Sequence, residues 1–386
     1  MTDPSGEACP PRTWDRRGFL RSATLATAAP ILTTAPILTT AAGRAAAAPL
    51  PPAAVTAGPP GAVARLMAVA GPGRDLEWLR SALQIAVELE LATIPPYLCA
   101  WWSIRDRAGE AAALIADIVH DEMFHMGLAC NMLAAVGGTP RIHDAVPAYP
   151  SGLPGGVREG LTVYLGGLTR PYVQDVLMGI ETPESPLTRA GAVPTIGAFY
   201  TALLETFQDL APVLSPDRQL GTRIGSNTLR PVLGPADVEE AIETIKEQGE
   251  GSSVSPDPPH GSHGAPSHYY AFGEIFHGAR IREAGGRFEY TGDVLPFPEA
   301  RPMGAVPAGG WPDPSPEVRR LLGRFDATFS RALRALQAAW TRGSARALSA
   351  AVEEMRALEG PAVRLMEIPL PDGSGRTYGP QFRPIS

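Results

Sequence analysis

The sequence predicts an all-α protein: a four-helix bundle with long loop insertions and extra helices toward the C-terminus. Three observations predict it. Two long segments joined by a short turn carry apolar residues at steps of three and four, the spacing of a helix face turned to a core. Several later segments repeat that spacing. No strong series of polar–apolar alternation marks a sheet.

The elements follow in order. The first helix is expected over Asp75–Arg107. Pro95 and Pro96 fall inside it and remove the backbone donors that would bond Leu91 and Ala92, so a kink is expected there. The second runs over Glu110–Val136 and stops at Gly137-Gly138, a good C-terminal signal. Residues 139–194 are rich in Pro and Gly and read as a long excursion over the bundle. Gly152-Leu153-Pro154-Gly155-Gly156 within it reads as a turn-rich loop. A third helix starts near Pro194 or Thr195 and aligns Phe199, Leu203, Phe207 and Leu210. A fourth follows Pro235-Ala236-Asp237 with Val238, Ala241, Ile242 and Ile245 on one face. Another starts near Ser267 and aligns His268, Phe272 and Ile275. Two amphipathic helices, 315–342 and 344–358, close the chain. The bundle is thus assigned to 73–280, and a C-terminal loop and helical hairpin packed on it to 281–386.

The N-terminus reads as an export signal. Thr13-Trp14-Asp15-Arg16-Arg17-Gly18-Phe19-Leu20 is a twin-arginine pattern, followed by a mildly apolar run with a tandem repeat at 29–34 and 35–40. Ala45-Ala46-Ala47 offers a small-residue cleavage site. Residues 1–47 are therefore expected to be removed after export by the twin-arginine route, to a periplasmic or extracellular location, and 48–72 to be a flexible lead-in. The prolines and threonines of the run make it a poor membrane span.

Composition narrows the function classes. The formal net charge of −7 provides no basic footprint for nucleic acid. Gly and Pro contribute 41 residues each, about a fifth of the chain, below the ~25–30% at which low-complexity disorder begins. The three cysteines have no zinc-finger spacing. Cys99 and Cys130 lie on the first two helices; export permits a disulfide between them, and small buried side chains are the simpler expectation. No P-loop, dinucleotide fingerprint or Ser-His-Asp arrangement is present.

The chemistry sits on the two long helices. From Leu83, the first stripe runs Val87, Glu90, Ile94, Tyr97, Trp101, Ile104, and six of its seven positions are apolar or aromatic. Glu90 therefore faces the core, whereas Glu88 shares a wetter face with Ser81, Gln84 and Cys99. The second stripe is Ile115, Ile118, Glu122, His125, Ala129, Met132, Val136. Glu122 and His125, three apart, project toward one point. A buried unpaired carboxylate is costly, and a core Glu facing Glu-x-x-His is the inward ligand pattern of ferritin-like bundles. These donors suit iron or manganese, and zinc is also compatible. The alternative is a bundle whose acids pair with Arg or with each other.

The remaining candidates carry two readings each. Glu205, the acid well inside the third helix, is a ligand or an exposed residue. Glu247 belongs to the polar face of Glu240, Glu243 and Glu250, which pattern alone reads as solvated. His268 is a ligand or a buried, hydrogen-bonded histidine. Tyr97, two turns beyond Glu90, stands beside the metals as a catalytic residue or is a core tyrosine. His260 and His263 lie in a loop.

Several motifs together resemble the ferritin-like domain of the iminophenyl-pyruvate dimer synthase family, which includes enzymes of violacein and related bis-indole pathways. They are Glu-Leu-Ala-Thr-Ile-Pro-Pro-Tyr-Leu (90–98), Asp-Glu-Met-Phe-His-Met (121–126) and the segment 131–140. Thr195–Tyr200, Glu247–Gly251 and Ser267–Tyr270 complete the set. The resemblance covers about 75–280. It implies Glu90, Glu122 and His125 as ligands, with Glu247 and His268 as further ones. It also implies an oxidoreductase using bound iron or manganese on a small organic substrate, an amine, imine or aromatic acid, in a pocket lined by Tyr97, Trp101 and Phe272. Ala198 departs from the pattern, standing where an acid is expected, with Glu205 one heptad later as its candidate substitute. One metal or an altered pair is then the alternative to a full dinuclear site. The export signal also departs from a cytoplasmic pigment pathway. A non-enzymatic metal binder and a metal-free binding module are the competing expectations.

Overall fold

A computed structural model describes residues 61–183, 195–249 and 266–385. The twin-arginine segment, His260 and His263 lie outside the described residues.

The long helix α2 spans Leu76–Ser103, capped by Asp75, whose carboxylate accepts from the Trp78 amide at 2.8 Å. Helix α3 spans Glu110–Ala135 and packs along α2. Gly137, at φ 77°, ends α3 in the left-handed region that favours glycine. Helices α6 (Ile196–Leu210) and α7 (Pro235–Gly249) pair with each other. Since α6 also touches α2 and α7 touches α3, the four close into a bundle. The sequence reading of an all-α bundle is thus observed.

Helix α2 continues unbroken through Pro95 and Pro96. Pro96 leaves the Ala92 carbonyl without its helical donor, and the Tyr149 hydroxyl donates to that oxygen at 2.7 Å. A side chain from the 139–194 excursion thus satisfies the buried acceptor that Pro96 leaves open.

Before the bundle, a short helix α1 (Ala62–Met67) occupies the stretch read as flexible lead-in. The Trp78 indole donates to Leu66 O at 2.9 Å and ties α1 to α2. A Cβ on Gly61 would lie 2.1 Å from Gly155 O, so two backbones cross there at a distance only glycine permits. This is the role of the Gly152–Gly156 loop.

Inside the excursion the chain forms an unpredicted helical segment: α4 (Arg170–Tyr172), a π-helical turn (Val173–Leu177) and α5 (Met178–Glu181). Helix α8 (His268–His277) packs on the π turn and α5. Among the described residues the strands are short antiparallel pairs, β1 (Thr222–Ile224) with β2 (Asn227–Leu229), and β3 (Arg282–Ala284) with β4 (Arg287–Glu289).

The C-terminal region adds α9 (Pro316–Arg342), α10 (Ala345–Ala357) and α11 (Glu359–Leu365). Helices α9 and α10 form a hairpin, α9 reaches α3 and α11 reaches α2. Trp102 of α2 stacks on Phe382, and Phe325 and Phe329 meet the same ring edge-on. No helix among the described residues is long and apolar enough to cross a membrane.

Candidate metal centre

The helix faces read from sequence converge between α2 and α3. Glu90, Glu122 and His125 are buried, with 6%, 3% and 1% of their surface exposed. His125 Nδ1 lies 3.5 Å from Glu90 Oε2 and 3.7 Å from Glu122 Oε1. A second histidine completes the cluster from α8. His268 Nδ1 lies 2.9 Å from Glu122 Oε1 and 3.5 Å from Glu181 Oε1, the last residue of α5. Two groups with metal-holding geometry result, Glu90–Glu122–His125 and Glu122–Glu181–His268, with Glu122 common to both.

Outer partners decide which nitrogen faces inward. His125 Nε2 is 2.8 Å from Gln248 Oε1, an acceptor, so the neutral imidazole that a metal requires keeps its proton on Nε2 and turns the Nδ1 lone pair toward the carboxylates. His268 Nε2 faces Asp121 Oδ2 at 3.4 Å, and Asn227 holds the other oxygen of Asp121 at 2.6 Å. His268 Nδ1 is buried and makes no hydrogen bond of good geometry, although two carboxylate oxygens lie close. Converging lone pairs without a hydrogen-bond line between them suit a cation at their focus.

Each carboxylate also has its own hydroxyl donor. Thr93 Oγ1 donates to Glu122 Oε2 and Tyr97 OH to Glu181 Oε1, both at 2.5 Å, and Tyr200 OH donates to Glu90 Oε1. These bonds orient the carboxylates; in Glu90 and Glu122 they leave the oxygen nearer the histidines to face the centre, whereas Glu181 Oε1 both accepts from Tyr97 and faces His268.

Charge reinforces the reading. Without a cation, the imidazoles must carry protons to offset the acids. Burial lowers the His125 pKa, but hydrogen bonds that the protonated ring donates to Glu122 and Glu90 outweigh it and push it up to about 10. Burial likewise opposes protonation of His268, and Asp121, Glu122 and Glu181 raise it well above its ordinary value. Burial pushes Glu122 up, and the two histidines bring it down to about 2. Glu90 stays raised because burial exceeds the help from His125. Burial and then Glu181 raise Tyr97, which keeps its proton and can donate. Three carboxylates and two imidazoles, with no thiolate among them, fit a metal ion such as iron, manganese or zinc.

A family model described as ferritin-like matches residues 83–277, half of the chain. The chain belongs to the ferritin-like family. A ferritin-like protein from Caulobacter vibrioides, solved at 1.95 Å, aligns with a TM-score of 0.57 and 22% identity, over 79% of this chain and 97% of that one. That likeness is one of fold. No curated protein matches the chain.

Against this ferritin-like frame the candidates separate. Glu90, Glu122, His125 and His268 come together, and Tyr97 stands beside them through Glu181. Glu205 does not: its side chain is 62% exposed and lies 3.6 Å from Arg74. Glu247 is half-buried and outside both groups; its neighbour Gln248 enters the site instead. Ala198 sits in the first turn of α6, its amide bonded to the Thr195 cap, and the phenol of Tyr200 is what this helix sends to Glu90. The three residues expected to line one pocket, Tyr97, Trp101 and Phe272, are divided. Tyr97 and Phe272 pack edge-on at 5.2 Å, while Trp101 turns to the opposite face of α2 under Arg107. The cavity at the centre measures about 40 Å³ and is bounded by Glu90, Thr93, Glu122, His125, Glu181 and Tyr200, among others.

Sequence reasoning missed Glu181, Asp121, Gln248, Thr93 and Tyr200. The signal for Glu181 is an apolar run, Val176-Leu177-Met178-Gly179-Ile180, that ends on an acid. The π turn breaks the period by which a helix face is read.

Proposed function

We propose that the protein is an exported ferritin-like oxidoreductase that holds a dinuclear iron centre, or its manganese equivalent, and acts on a small organic substrate. One observation carries the metal reading: Glu122 serves two histidine-containing groups at once, the arrangement of a carboxylate placed between two cations. The motifs at 90–98 and 121–126, similar to those of iminophenyl-pyruvate dimer synthases, support an amine, imine or aromatic acid as substrate. The twin-arginine motif supports export.

Glu90 and His125 would hold one ion, Glu181 and His268 the other, and Glu122 both. Bound there, iron would supply redox chemistry toward dioxygen or peroxide. The chain's own part is positioning. Gln248 and Asp121 fix the imidazoles with Nδ1 inward. Thr93, Tyr97 and Tyr200 fix the carboxylates. Leu89, Leu153, Ile180 and Ile245 wall the cavity with apolar groups, which limits water and tunes the centre.

The cavity of about 40 Å³ favours a second reading, a non-enzymatic metal binder, because such a volume holds only a few waters. Metal analysis of untagged protein and of Glu122→Ala, followed by dioxygen consumption with ferrous iron and candidate amines or aromatic acids, separates the two. Two ions per chain, lost in the variant, with substrate-dependent oxygen uptake support the oxidoreductase. Two ions without substrate-dependent uptake support the binder. No ion after reconstitution overturns both.

A further inference from the structure

On the far side of α2 and α3 from the metal centre lies a second and larger cavity, of about 390 Å³. Its floor is made by the residues that alternate with the ligands along the helices: Ile94 and Leu98 on α2, Val119 and Met126 on α3. Its opposite wall is α9, through Leu333, Leu336 and Trp340. These wall residues are buried, so the cavity is an internal slot rather than an apolar surface patch. The volume falls within the ~300–1,000 Å³ of small-molecule sites. The C-terminal helices α9 to α11, beyond the region matched by the family, supply a large share of the lining. Met123, Met126 and Met355 give it walls that adapt to a flexible guest.

The lining is mostly apolar, and its charged or titratable members are His120, Arg223, Arg356 and Glu359. Arg223, on the β1–β2 hairpin, and Arg356, on α10, are both exposed at the rim. Glu359 is the acid at the rim, and Arg107 neutralises it at 3.2 Å. Arg356 makes no ion pair among the described residues. The rim is therefore positive, in a chain whose formal net charge is −7. A deep apolar slot with guanidinium groups at its mouth matches an amphipathic guest with an anionic head. We propose that this slot binds a single medium-chain aliphatic carboxylate, its chain against α2, α3 and α9 and its head at Arg356 and Arg223. The assignment does not depend on the metal reading.

Calorimetric titration of the full chain with dodecanoate, below its micellar range, tests this, with dodecanol as the uncharged control. Trp101, Trp102 and Trp340 line the slot, so their emission reports occupancy. One saturable site is expected, with dodecanol weaker by about tenfold, the scale of a hydrogen bond to a charged group. Ala332→Trp fills the slot from α9 and is expected to abolish binding. Arg356→Glu, on an exposed residue, is expected to weaken dodecanoate by about tenfold or more while leaving dodecanol unchanged. Absence of saturable binding overturns the proposal. So does equal affinity for dodecanoate and dodecanol, unchanged binding by folded Ala332→Trp, or an Arg356→Glu variant that binds dodecanoate as the wild type does.

Discussion

Glu122→Gln is the most informative perturbation because Glu122 belongs to both donor groups. The change keeps the shape and removes one of three buried carboxylates, so each group drops to a single carboxylate and one histidine. Metal content is expected to fall from two ions per chain to less than one. The metal-free protein is also expected to lose stability. His125 would retain Glu90 at 3.5 Å, and His268 would retain Glu181 at 3.5 Å and Asp121 at 3.4 Å. The cost is therefore set at about 2 kcal/mol, below the ~3–5 kcal/mol of a buried ion left with no partner. The pH dependence follows from the shifts. His125 is raised to about 10, so its contribution is fully present below its unfolded value of 6.5 and lost as pH rises through about 10. Glu122 is depressed to about 2, so its contribution is present above 4.5 and lost as pH falls through about 2. The difference between wild type and variant should be largest between these limits and shrink toward pH 10. Urea unfolding of both metal-free proteins at pH 6 and pH 9.5, with elemental analysis of the loaded forms, measures it. A variant that keeps two ions, or matches the wild type in stability at pH 6, refutes the reasoning.

Metal uptake at pH 7 is expected to release close to two protons per chain, because both imidazoles are protonated without the cation and must be neutral to bind it; calorimetry in buffers of different ionisation enthalpy counts them, and release of fewer than one would show that the imidazoles are neutral in the metal-free protein. Glu205→Ala is expected to leave metal content unchanged, since that side chain is exposed beside Arg74; loss of metal would place it in the centre. Cys99 and Cys130 are free, buried and raised in pKa by burial, so thiol reagents at pH 8 should label neither until the protein unfolds; rapid labelling of the native protein would show that this core opens.

The bundle was legible because its two long helices carry their own evidence. Glu90 and the Glu122–His125 pair stand on stripes whose spacing alone turns them inward. His268 was legible as a face with Phe272 and Ile275, and its role needed the fold. Glu181 was not legible, since an acid inside a Gly- and Pro-rich excursion has no helical frame until the π turn supplies one. Glu205 shows the converse: a helical acid near small neighbours reads as a ligand or as an exposed residue, and its place beside Arg74 decides for the second. Gln248 and Asp121 were hidden for another reason. Their task is to hold an imidazole, and neither burial nor periodicity marks the acceptor for a ring nitrogen.

The missing acid at Ala198 has a definite consequence for loading. The dinuclear carboxylate pattern draws a Glu from each of two helices and Glu-x-x-His from each of two others, four carboxylates in all. Here the second such motif is reduced to its histidine, because residue 265 is Ala, and α6 sends a phenol rather than a carboxylate. Glu181 restores one acid from outside the bundle, and the total among the described residues is three. Two divalent cations therefore exceed the fixed negative charge by one, whereas one cation does not exceed it. The first ion should bind well before the second, and the second should tighten when an exogenous anion is supplied. Anaerobic titration with ferrous or manganous ion, with and without acetate, is expected to resolve two steps, the later one shifted by the anion. A single step in which both ions enter together, indifferent to acetate, would show that charge balance does not limit the site.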